Sequence, residues 1–488
     1  MKLSLLLQDI IFIPTHVDKD IYGLSLDSRQ IKPGYLFIAV QSDVAEGHCY
    51  IDQAIANGAG VVLQEGECTE ITMRAAPVIS IPQLKDKLSL IAVRFFHYPA
   101  NVLRIIGITG TNGKTSCSHF IAAALQGAQV PCGVIGTIGI GFPGKLEPAQ
   151  LTTPDVINLQ RYFYDFVCHG AQAIAMEVSS HGIAQDRIQG IHFDIGVFTN
   201  LTRDHLDYHG NMETYATVKQ RFLTSLATQQ LVINADDALG LRSITLLAEK
   251  KPVYAYSLIK PKYPIVPYVY VDQVQLNLQG IIAMVYTPWG EGMLTLPLIG
   301  EFNLSNALAV LTTLCLYGIP FATALAQMAA LQPVAGRMQL LGGSSAPNVV
   351  VDYAHTPDAL DKVLMTLRRH CQGRLFCLFG CGGDRDQGKR PQMAKVAEQW
   401  ADTIVVTNDN PRNEQPEYIV ADIVKGFKYP ERVLVQLDRS KAIQDIIELA
   451  AQGDWVLIAG KGAEMYQQIG ATRIYFSDEE EVKRCLRR

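Results

Sequence analysis

No apolar run in this 488-residue chain approaches the ~20 residues that would span a bilayer, so a helical membrane protein is excluded. The opening stretch, Met1-Lys-Leu-Ser-Leu-Leu-Leu-Gln-Asp9, is too short in apolar residues for a secretion signal, and Asp9 interrupts it. A basic excess is missing too. Lys and Arg number 42 against 47 Asp and Glu, for a net charge of -5. That balance excludes the electrostatic footprint of a nucleic-acid binder, and an anionic substrate would need local cations. The ten cysteines lack C-x-x-C spacing and a nearby histidine pair; Cys371, Cys377 and Cys381 are the closest cluster. Reduced structural thiols and a cytoplasmic location are therefore expected. Neither a solenoid-like repeat nor a low-complexity stretch is present. What remains is 48% hydrophobic and 18% charged, the composition of a folded globular chain. Its length calls for two to four domains.

One stretch organises the rest: Gly107-Ile-Thr-Gly-Thr-Asn-Gly-Lys-Thr-Ser116. The apolar run 102–108 before it predicts a buried parallel strand, and residues 117–126 after it predict a helix. Strand, glycine turn and helix form the context of a phosphate-binding loop. The glycines let backbone N–H groups close on phosphate oxygens. Lys114 can reach the β/γ-phosphates, and the Thr115 hydroxyl can sit on Mg2+. The spacing is not the usual one, because Gly110 lies only three residues before Gly113. An ordinary turn is the alternative for a bare Gly-x-x-Gly-Lys-Thr; the flanking strand and helix favour nucleotide binding.

Residues 1 to about 100 predict a small α/β domain. Its strands are placed at 24–26, 35–40 and 60–63, with a helix at 51–57 closed by Gly58. Asp27-Ser28-Arg29 lies between strands, either as a binding loop or as a simple Asx turn. Pro99 marks the boundary. Residues 101–334 alternate strands (130–135, 173–178, 195–199, 231–234) with helices (156–168, 212–226). This predicts a mostly parallel sheet with helices on both faces and binding groups at the strands' carboxyl ends. Residues 253–286 are richer in β-branched and aromatic residues and read as inserted antiparallel strands. Gly300-Glu-Phe-Asn-Leu-Ser-Asn306 opens an Ala/Leu-rich helix. A third α/β domain, 335–488, carries strands at 349–352, 374–379, 403–407 and 455–459, each running into a polar or glycine-rich loop.

Several residues carry candidate chemistry. Glu177, at a strand end, suits a hard cation, or is a helix N-terminal acid. His205 sits among Asp204, Asp207 and His209, a polar setting that suits metal contact or hydrogen bonding. Lys219 follows Tyr215 by one turn on a helix, where most lysines are solvated. Asn303 and Asn306 share a face and could hold an adenine or a carbonyl, or cap the helix. Arg385 and Arg412 suit a carboxylate, because guanidinium pairs with it bidentately; surface charge is the alternative. These features predict an ATP-using enzyme with a carboxylate-bearing substrate. They leave kinase, ligase and ATP-driven switch as alternatives.

Taken together, the motifs resemble the Mur ligase family along the whole chain. The matching residues are Asp27-Ser-Arg29, Gly110-Thr-Asn-Gly-Lys-Thr115, Thr152-Thr-Pro154, Met176-Glu-Val-Ser-Ser-His-Gly182, Asp204-His-Leu-Asp-Tyr-His-Gly210, Tyr215 with Lys219, Asp352-Tyr-Ala-His355 and Asp409-Asn-Pro-Arg412. The resemblance is strongest to the branch that adds meso-2,6-diaminopimelate to UDP-N-acetylmuramoyl-L-alanyl-D-glutamate in cytoplasmic peptidoglycan synthesis. It implies an N-terminal UDP-substrate domain, a central P-loop ATPase domain and a Rossmann-like C-terminal amino-acid domain, in a monomer using ATP and Mg2+. By the same resemblance, Leu26, Ser28 and Asp43-Val44-Ala45 face the uridine nucleotide. Thr152, Thr153, Ser179, Gln185 and Arg187 face the muramoyl peptide. Gly110, Thr111, Asn112, Gly113, Lys114, Thr115 and Ser116 hold the ATP phosphates, with Asn303, Asn306, Arg337 and Asp352 near the nucleotide. Thr115, Glu177 and His205 are implied as Mg2+ ligands, together with Lys219 as N6-carboxylysine. Arg385, Asp409, Asn410, Pro411, Arg412, Gly460 and Glu464 are implied as the diaminopimelate pocket. The implied reaction is ligation through an acyl phosphate, with Lys114, Lys219 and His205 in the catalytic group.

Three departures from the family pattern stand out. Ala463 replaces the histidine of Gly-Lys-Gly-His-Glu, Asn408 stands where serine or aspartate is common, and Gln41-Ser42 replaces a glycine turn. None touches a residue assigned to the chemical step. A lysine-adding ligase, a folylpolyglutamate synthetase and a regulator that has lost catalysis are the alternatives. Arg412 argues against lysine addition, because a second carboxylate needs a cation.

Overall fold

The computed structural model describes residues 1–40, 47–343 and 346–487. Chain compactness divides it into two units. The first comprises residues 1–104, 153–172 and 184–192. Its sheet contains β1 (Gly23–Ser25), β2 (Tyr35–Ala39), β3 (Val61–Glu65), β4 (Glu70–Met73) and β5 (Pro77–Ile81), in the order β1-β2-β3-β5-β4. All pairs are parallel except β4 with β5. The Leu84–Phe95 helix packs Leu84, Leu88 and Ile91 into this unit's core, where Val156 and Ile157 of the Val156–Cys168 helix also lie. Asp155 caps that helix by accepting from the N–H groups of Ile157 and Asn158. The sequence reading places no strand at β4 or β5: Glu70-Ile-Thr-Met73 is mostly exposed and carries little apolar signal, whereas Pro77–Ile81 is a short buried run.

The second unit contains two sheets and a hairpin. The larger sheet holds β6 (Arg104–Thr109), β7 (Cys132–Ile135), β8 (Ile140–Phe142), β9 (Lys145–Glu147), β10 (Ala173–Glu177), β11 (Phe193–Phe198), β12 (Thr228–Asn234), β13 (Val253–Ser257), β14 (Tyr268–Asn277), β15 (Gly280–Thr287) and β16 (Gly290–Leu296). Their order is β16-β15-β14-β13-β12-β11-β6-β10-β7-β8-β9. The middle is parallel and the two margins are antiparallel hairpins. This corrects the reading of 253–286 as an antiparallel insert. β13 pairs parallel with β12 after a crossover through the Ala238–Leu247 helix, and the antiparallel pairs are β14 with β15 and β15 with β16. β-branched composition marks a strand but carries no direction.

Helices cover both faces. The Lys114–Gly127, Glu301–Tyr317 and Phe321–Ala329 helices share one core with Ile106, Ile108, Ile195 and Val197. The alternate positions Gly107 and Gly196 face the Met212–Thr224 helix, where a Cβ on either would collide with Phe222 or its neighbours. β6 is the switch point: the chain leaves it first toward β7 on one side and later returns to β11 on the other. Ligand sites of open α/β sheets fall at such a point.

The smaller sheet has β17 (Gln339–Gly342), β18 (Asn348–Asp352), β19 (Leu375–Phe379), β20 (Thr403–Val406), β21 (Leu434–Val435) and β22 (Trp455–Ala459), in the order β17-β18-β22-β19-β20-β21. It is parallel apart from β17. β23 (Tyr466–Ile469) and β24 (Thr472–Tyr475) form the hairpin. Behind the sheet, Arg439 and Asp478 make an ion pair at 2.7 Å with both side chains fully buried. The same guanidinium donates to Asn408 O at 3.2 Å and Ala459 O at 3.0 Å, bracing the ends of β20 and β22. Breaking such a pair strands a buried charge, so Asp478→Ala should lose about 3–5 kcal/mol of stability. Urea unfolding measures it, and a loss below about 1 kcal/mol would contradict the account. Among the described residues no helix is long and apolar enough to cross a membrane.

Candidate active site

The loop after β6 turns on two glycines. Gly110 (φ +149°) and Gly113 (φ +88°) take conformations that side chains rarely adopt, and each is crowded. A Cβ on Gly110 would lie 1.8 Å from Thr199 Oγ1, and one on Gly113 would lie 2.5 Å from Asn306 Oδ1. The segment after β11 then fastens the loop. Thr111 N donates to Asn200 O at 2.8 Å, Asn112 N donates to Asn200 Oδ1 at 2.9 Å, and Thr199 Oγ1 donates to Asn112 O at 2.6 Å. The Thr111 and Tyr215 hydroxyls bond at 3.1 Å. The helix begins at Lys114, three residues earlier than the apolar pattern starts, because Gly113 caps it.

Two amines meet at this loop. Lys114 Nζ donates to Gly110 O at 2.9 Å and Thr111 O at 2.8 Å. Lys219 Nζ donates to the same Gly110 O at 2.8 Å, 4.7 Å from the centre of the Tyr215 ring. Lys219 is 1% exposed, so the solvated-lysine alternative is overturned. Burial, then the Lys114 charge, lower its pKa well below the ordinary lysine value. Lys114 is lowered by burial too, but Glu177 and Asp204 oppose the shift.

Around them, Arg337 Nη2 donates to Thr115 Oγ1 at 3.1 Å, and its guanidinium lies 4.1 Å from the Tyr353 ring centre. Asn306 abuts Gly113, while Asn303 Nδ2 donates to Ile299 O at 2.8 Å, just ahead of the helix that carries it. Ser116 is buried in the first turn after the loop. The Asp352 carboxylate accepts from Met338 N at 2.7 Å and Ala354 N at 2.8 Å, and burial pushes its pKa up. Glu177 is fully buried and accepts from Thr137 N at 2.8 Å and the Thr137 hydroxyl at 3.1 Å.

His205 stands in the left-handed region (φ 55°) beside Asp204. One Asp204 oxygen lies 3.3 Å from His205 Nε2 and 3.4 Å from His355 Nε2, and the other lies 3.5 Å from Lys389 Nζ. Despite its own burial, Asp204 is held well below the usual carboxylate range by the Lys389 charge and a hydrogen bond from His355. Burial takes His205 down to about 2, so the imidazole is neutral and its lone pair is available. Sequence reasoning placed Asp204 near His205 but missed Lys389, Thr137 and Asn200 as partners. Asn200 at a strand end was the one with a local signal.

The donors around the loop are mostly oxygens. Hydroxyl and carboxylate oxygens suit Mg2+. An amine at Lys219 would repel it if protonated, so the set fits with Lys219 carboxylated. Among the described residues no cluster of three or more His, Cys, Asp and Glu stands ready as a metal site.

A second group gathers at the ends of β19, β20 and β22. Arg412 (φ 50°) donates Nη1 to Gly383 O at 2.7 Å, and burial and the Arg385 charge lower its pKa. Arg385 is half exposed, donates to Asp384 O at 3.0 Å, and lies 4.0 Å from Asp207. Asn410 Oδ1 accepts from Lys461 Nζ at 3.1 Å, and its amide donates to Glu464 at 3.0 Å. Asp409 is kept ionised despite burial by Lys461 and Arg439. Gly460 (φ +117°) lets the chain pass Asp409, whose carboxylate a Cβ would meet at 2.7 Å. Pro411 presses its carbonyl against Gly383.

The remaining expected residues are placed individually. Ser28 Oγ donates to Gln53 Oε1 at 2.8 Å next to the partly buried Leu26. Asp27 accepts from Arg29 N at 2.9 Å, which is the Asx turn offered as the alternative for that motif. Arg187 Nη1 donates to Thr153 O at 2.9 Å and bonds Gln185. Thr152 meets the Thr137 hydroxyl at 3.1 Å, and Ser179 Oγ accepts from Gly182 N at 3.0 Å. Asp43, Val44 and Ala45 lie outside the described residues.

Family models match in three segments: "Mur ligase family, catalytic domain" over residues 20–96, "Mur ligase middle domain" over 108–314, and "Mur ligase, glutamate ligase domain" over 336–462. The chain is 50% identical over 467 residues to the UDP-N-acetylmuramoyl-L-alanyl-D-glutamate–2,6-diaminopimelate ligase of Coxiella burnetii, covering 96% of each. It is 47% identical over 464 residues to the enzyme of that name from Pseudomonas aeruginosa, covering 95% of this chain and 94% of the relative. A solved structure of a ligase so named superposes with a TM-score of 0.69 at 36% identity, covering 100% of this chain and 99% of the other.

Proposed function

From its membership of the Mur ligase family we propose that the chain is an ATP-dependent ligase that joins meso-2,6-diaminopimelate to UDP-N-acetylmuramoyl-L-alanyl-D-glutamate in the cytoplasm. The observation that carries the choice of amino acid is Arg412, held half-buried on Gly383 O with the Arg385 charge nearby. Two cations at one pocket suit an amino acid with a second carboxylate. The proposed division of labour gives residues 1–100 the uridine nucleotide, 101–334 ATP and 335–488 the amino acid, within a monomer. Ser28 and Leu26 would meet the uridine end, and Thr152, Thr153, Ser179, Gln185 and Arg187 the muramoyl peptide.

In the proposed reaction a D-Glu γ-carboxylate oxygen attacks the γ-phosphorus of ATP, and the bond to the ADP oxygen breaks. The backbone N–H groups of the 110–116 loop and the Lys114 ammonium stabilise the charge that develops on the phosphoryl oxygens. Asn306 and Arg337 hold the nucleotide side of the loop. The free amine of diaminopimelate then attacks the acyl carbon, the C–O bond to phosphate breaks, and one proton leaves the new amide nitrogen. Thr115, Glu177, His205 and carboxylated Lys219 would hold Mg2+, which supplies neutralisation of phosphate charge when bound. Lys219 becomes a ligand by adding its free amine to CO2 with loss of one proton.

Phosphate release measured with a panel of amino acids tests the reading: it should require both the UDP-dipeptide and diaminopimelate. Release that needs neither would remove it. In the same assay Arg412→Ala should lower kcat/KM for diaminopimelate by roughly a hundredfold or more, because one partner of a buried charge pair is lost. Its KM for ATP should stay near the parent value. Equal use of lysine by the parent enzyme would show that Arg412 is not the selector.

A further inference from the structure

We propose that Arg390 and Glu414 are positioning residues that hold the two arginines of the amino-acid pocket in register; this rests on the reading of that pocket given above. Arg390 opens the Arg390–Trp400 helix and is 1% exposed. Its Nη2 donates to both Glu414 oxygens, at 2.8 and 2.9 Å, and its Nη1 donates to Asp422 at 3.0 Å. Glu414 sits two residues beyond Arg412. Its Oε1 also accepts from Asp384 N at 2.6 Å, on the neighbouring loop and next to Arg385. Asp384 returns the link by accepting from Asn413 Nδ2 at 2.8 Å. Gly383 N donates to Asn410 O at 3.0 Å, and Arg412 Nη1 donates to Gly383 O at 2.7 Å. The loops carrying the two pocket arginines are thus joined crosswise, and one buried guanidinium anchors the junction to a helix.

The backbone explains why such an anchor is needed. Asp384 (φ 53°) and Arg412 (φ 50°) both hold left-handed conformations that a side chain disfavours. Those conformations persist where surrounding contacts over-determine them. The planar fork of arginine is split here, Nη2 to Glu414 and Nη1 to Asp422, and so holds the two carboxylates at a fixed angle; a lysine ammonium would keep the charge and lose that direction. The two arms of Arg390 also differ in destination. Glu414 leads into the pocket loops, whereas Asp422 lies on the Pro416–Val424 helix.

Steady-state kinetics on the full chain separate this role from plain support. Glu414→Gln and Arg390→Lys should raise the KM for diaminopimelate roughly tenfold to a hundredfold, the scale on which misplacing a binding group acts. The KM for ATP should stay near the parent value, and Glu414→Gln should remain folded because Asp422 still pairs with Arg390. Asp422→Asn, which cuts the other arm, should leave the KM for diaminopimelate unchanged. The inference is overturned if folded Glu414→Gln keeps the parent KM, if it changes the ATP and diaminopimelate KM values alike, or if Asp422→Asn has the same effect. Should Arg390→Lys fail to fold, Glu414→Gln alone decides. Arg412→Ala is run alongside. If it raises the KM while Glu414→Gln does not, only this inference falls; if neither does, the pocket reading falls and takes this one with it.

Discussion

Lys114→Ala is expected to lower turnover at saturating ATP by roughly 10²-fold or more, the order seen when one preorganised electrostatic stabiliser is removed. The ammonium is anchored on the Gly110 and Thr111 carbonyls, at the mouth of a loop whose own N–H groups remain in the variant. Those backbone donors hold phosphate in the ground state, so ATP binding should weaken less than turnover falls. A loss confined to kcat marks an interaction made chiefly in the transition state. Single-turnover phosphate transfer and ADP calorimetry on the variant measure the two quantities separately. A near-parental rate at saturating ATP would contradict the phosphate-loop assignment. A loss carried wholly by KM would reduce Lys114 to a binding residue.

The loop itself was legible because its signals are local: an apolar strand, glycines that alone fit the turn, and a helix that follows. Strand direction was not legible, as β13 illustrates, because pairing partners lie far away in sequence. Burial of Lys219 has a signal in its helical spacing. The Met212–Thr224 helix buries Tyr215, Lys219, Phe222 and Leu223, which is the spacing of a core-facing stripe. A lysine inside such a stripe is placed where its amine must be desolvated. The Asp204 cluster draws His355 and Lys389 from more than a hundred residues away, and the Arg390–Glu414 junction joins side chains 24 apart. No local propensity encodes contacts of that kind. The departure at Ala463 has a backbone setting: a Cβ on Gly336 would lie 2.1 Å from Ala463 N. That close approach constrains the chain at position 463 and gives no reason for the missing imidazole.

Lys219→Ala should lose activity by at least ~10²-fold, because removing a charge-stabilising arrangement at a phosphoryl-transfer centre acts on that scale. Short carboxylates such as acetate or formate should restore part of it. The argument starts from the shared carbonyl. Two ammonium groups on Gly110 O would repel each other, and Lys219 is the more deeply buried, so burial and the neighbouring charge favour its neutral form more strongly than that of Lys114. A neutral amine is the form that adds CO2, and the product is a carboxylate where a cation had been. The sign of the pH effect follows from the same shift. Between its lowered folded value and the ordinary 10.5, Lys219 is neutral in the native chain and protonated in the unfolded one. The unfolded state then binds the extra proton, so this residue makes stability rise with pH across that window. In CO2-free buffer, Lys219→Met should flatten that rise, and denaturant titrations at several pH values measure it. Activity gives the second readout. Full activity of Lys219→Ala without added carboxylate would remove Lys219 from the mechanism. A parental pH slope in Lys219→Met would mean that the amine keeps its proton, and the carbamate with it would lose its chemical basis.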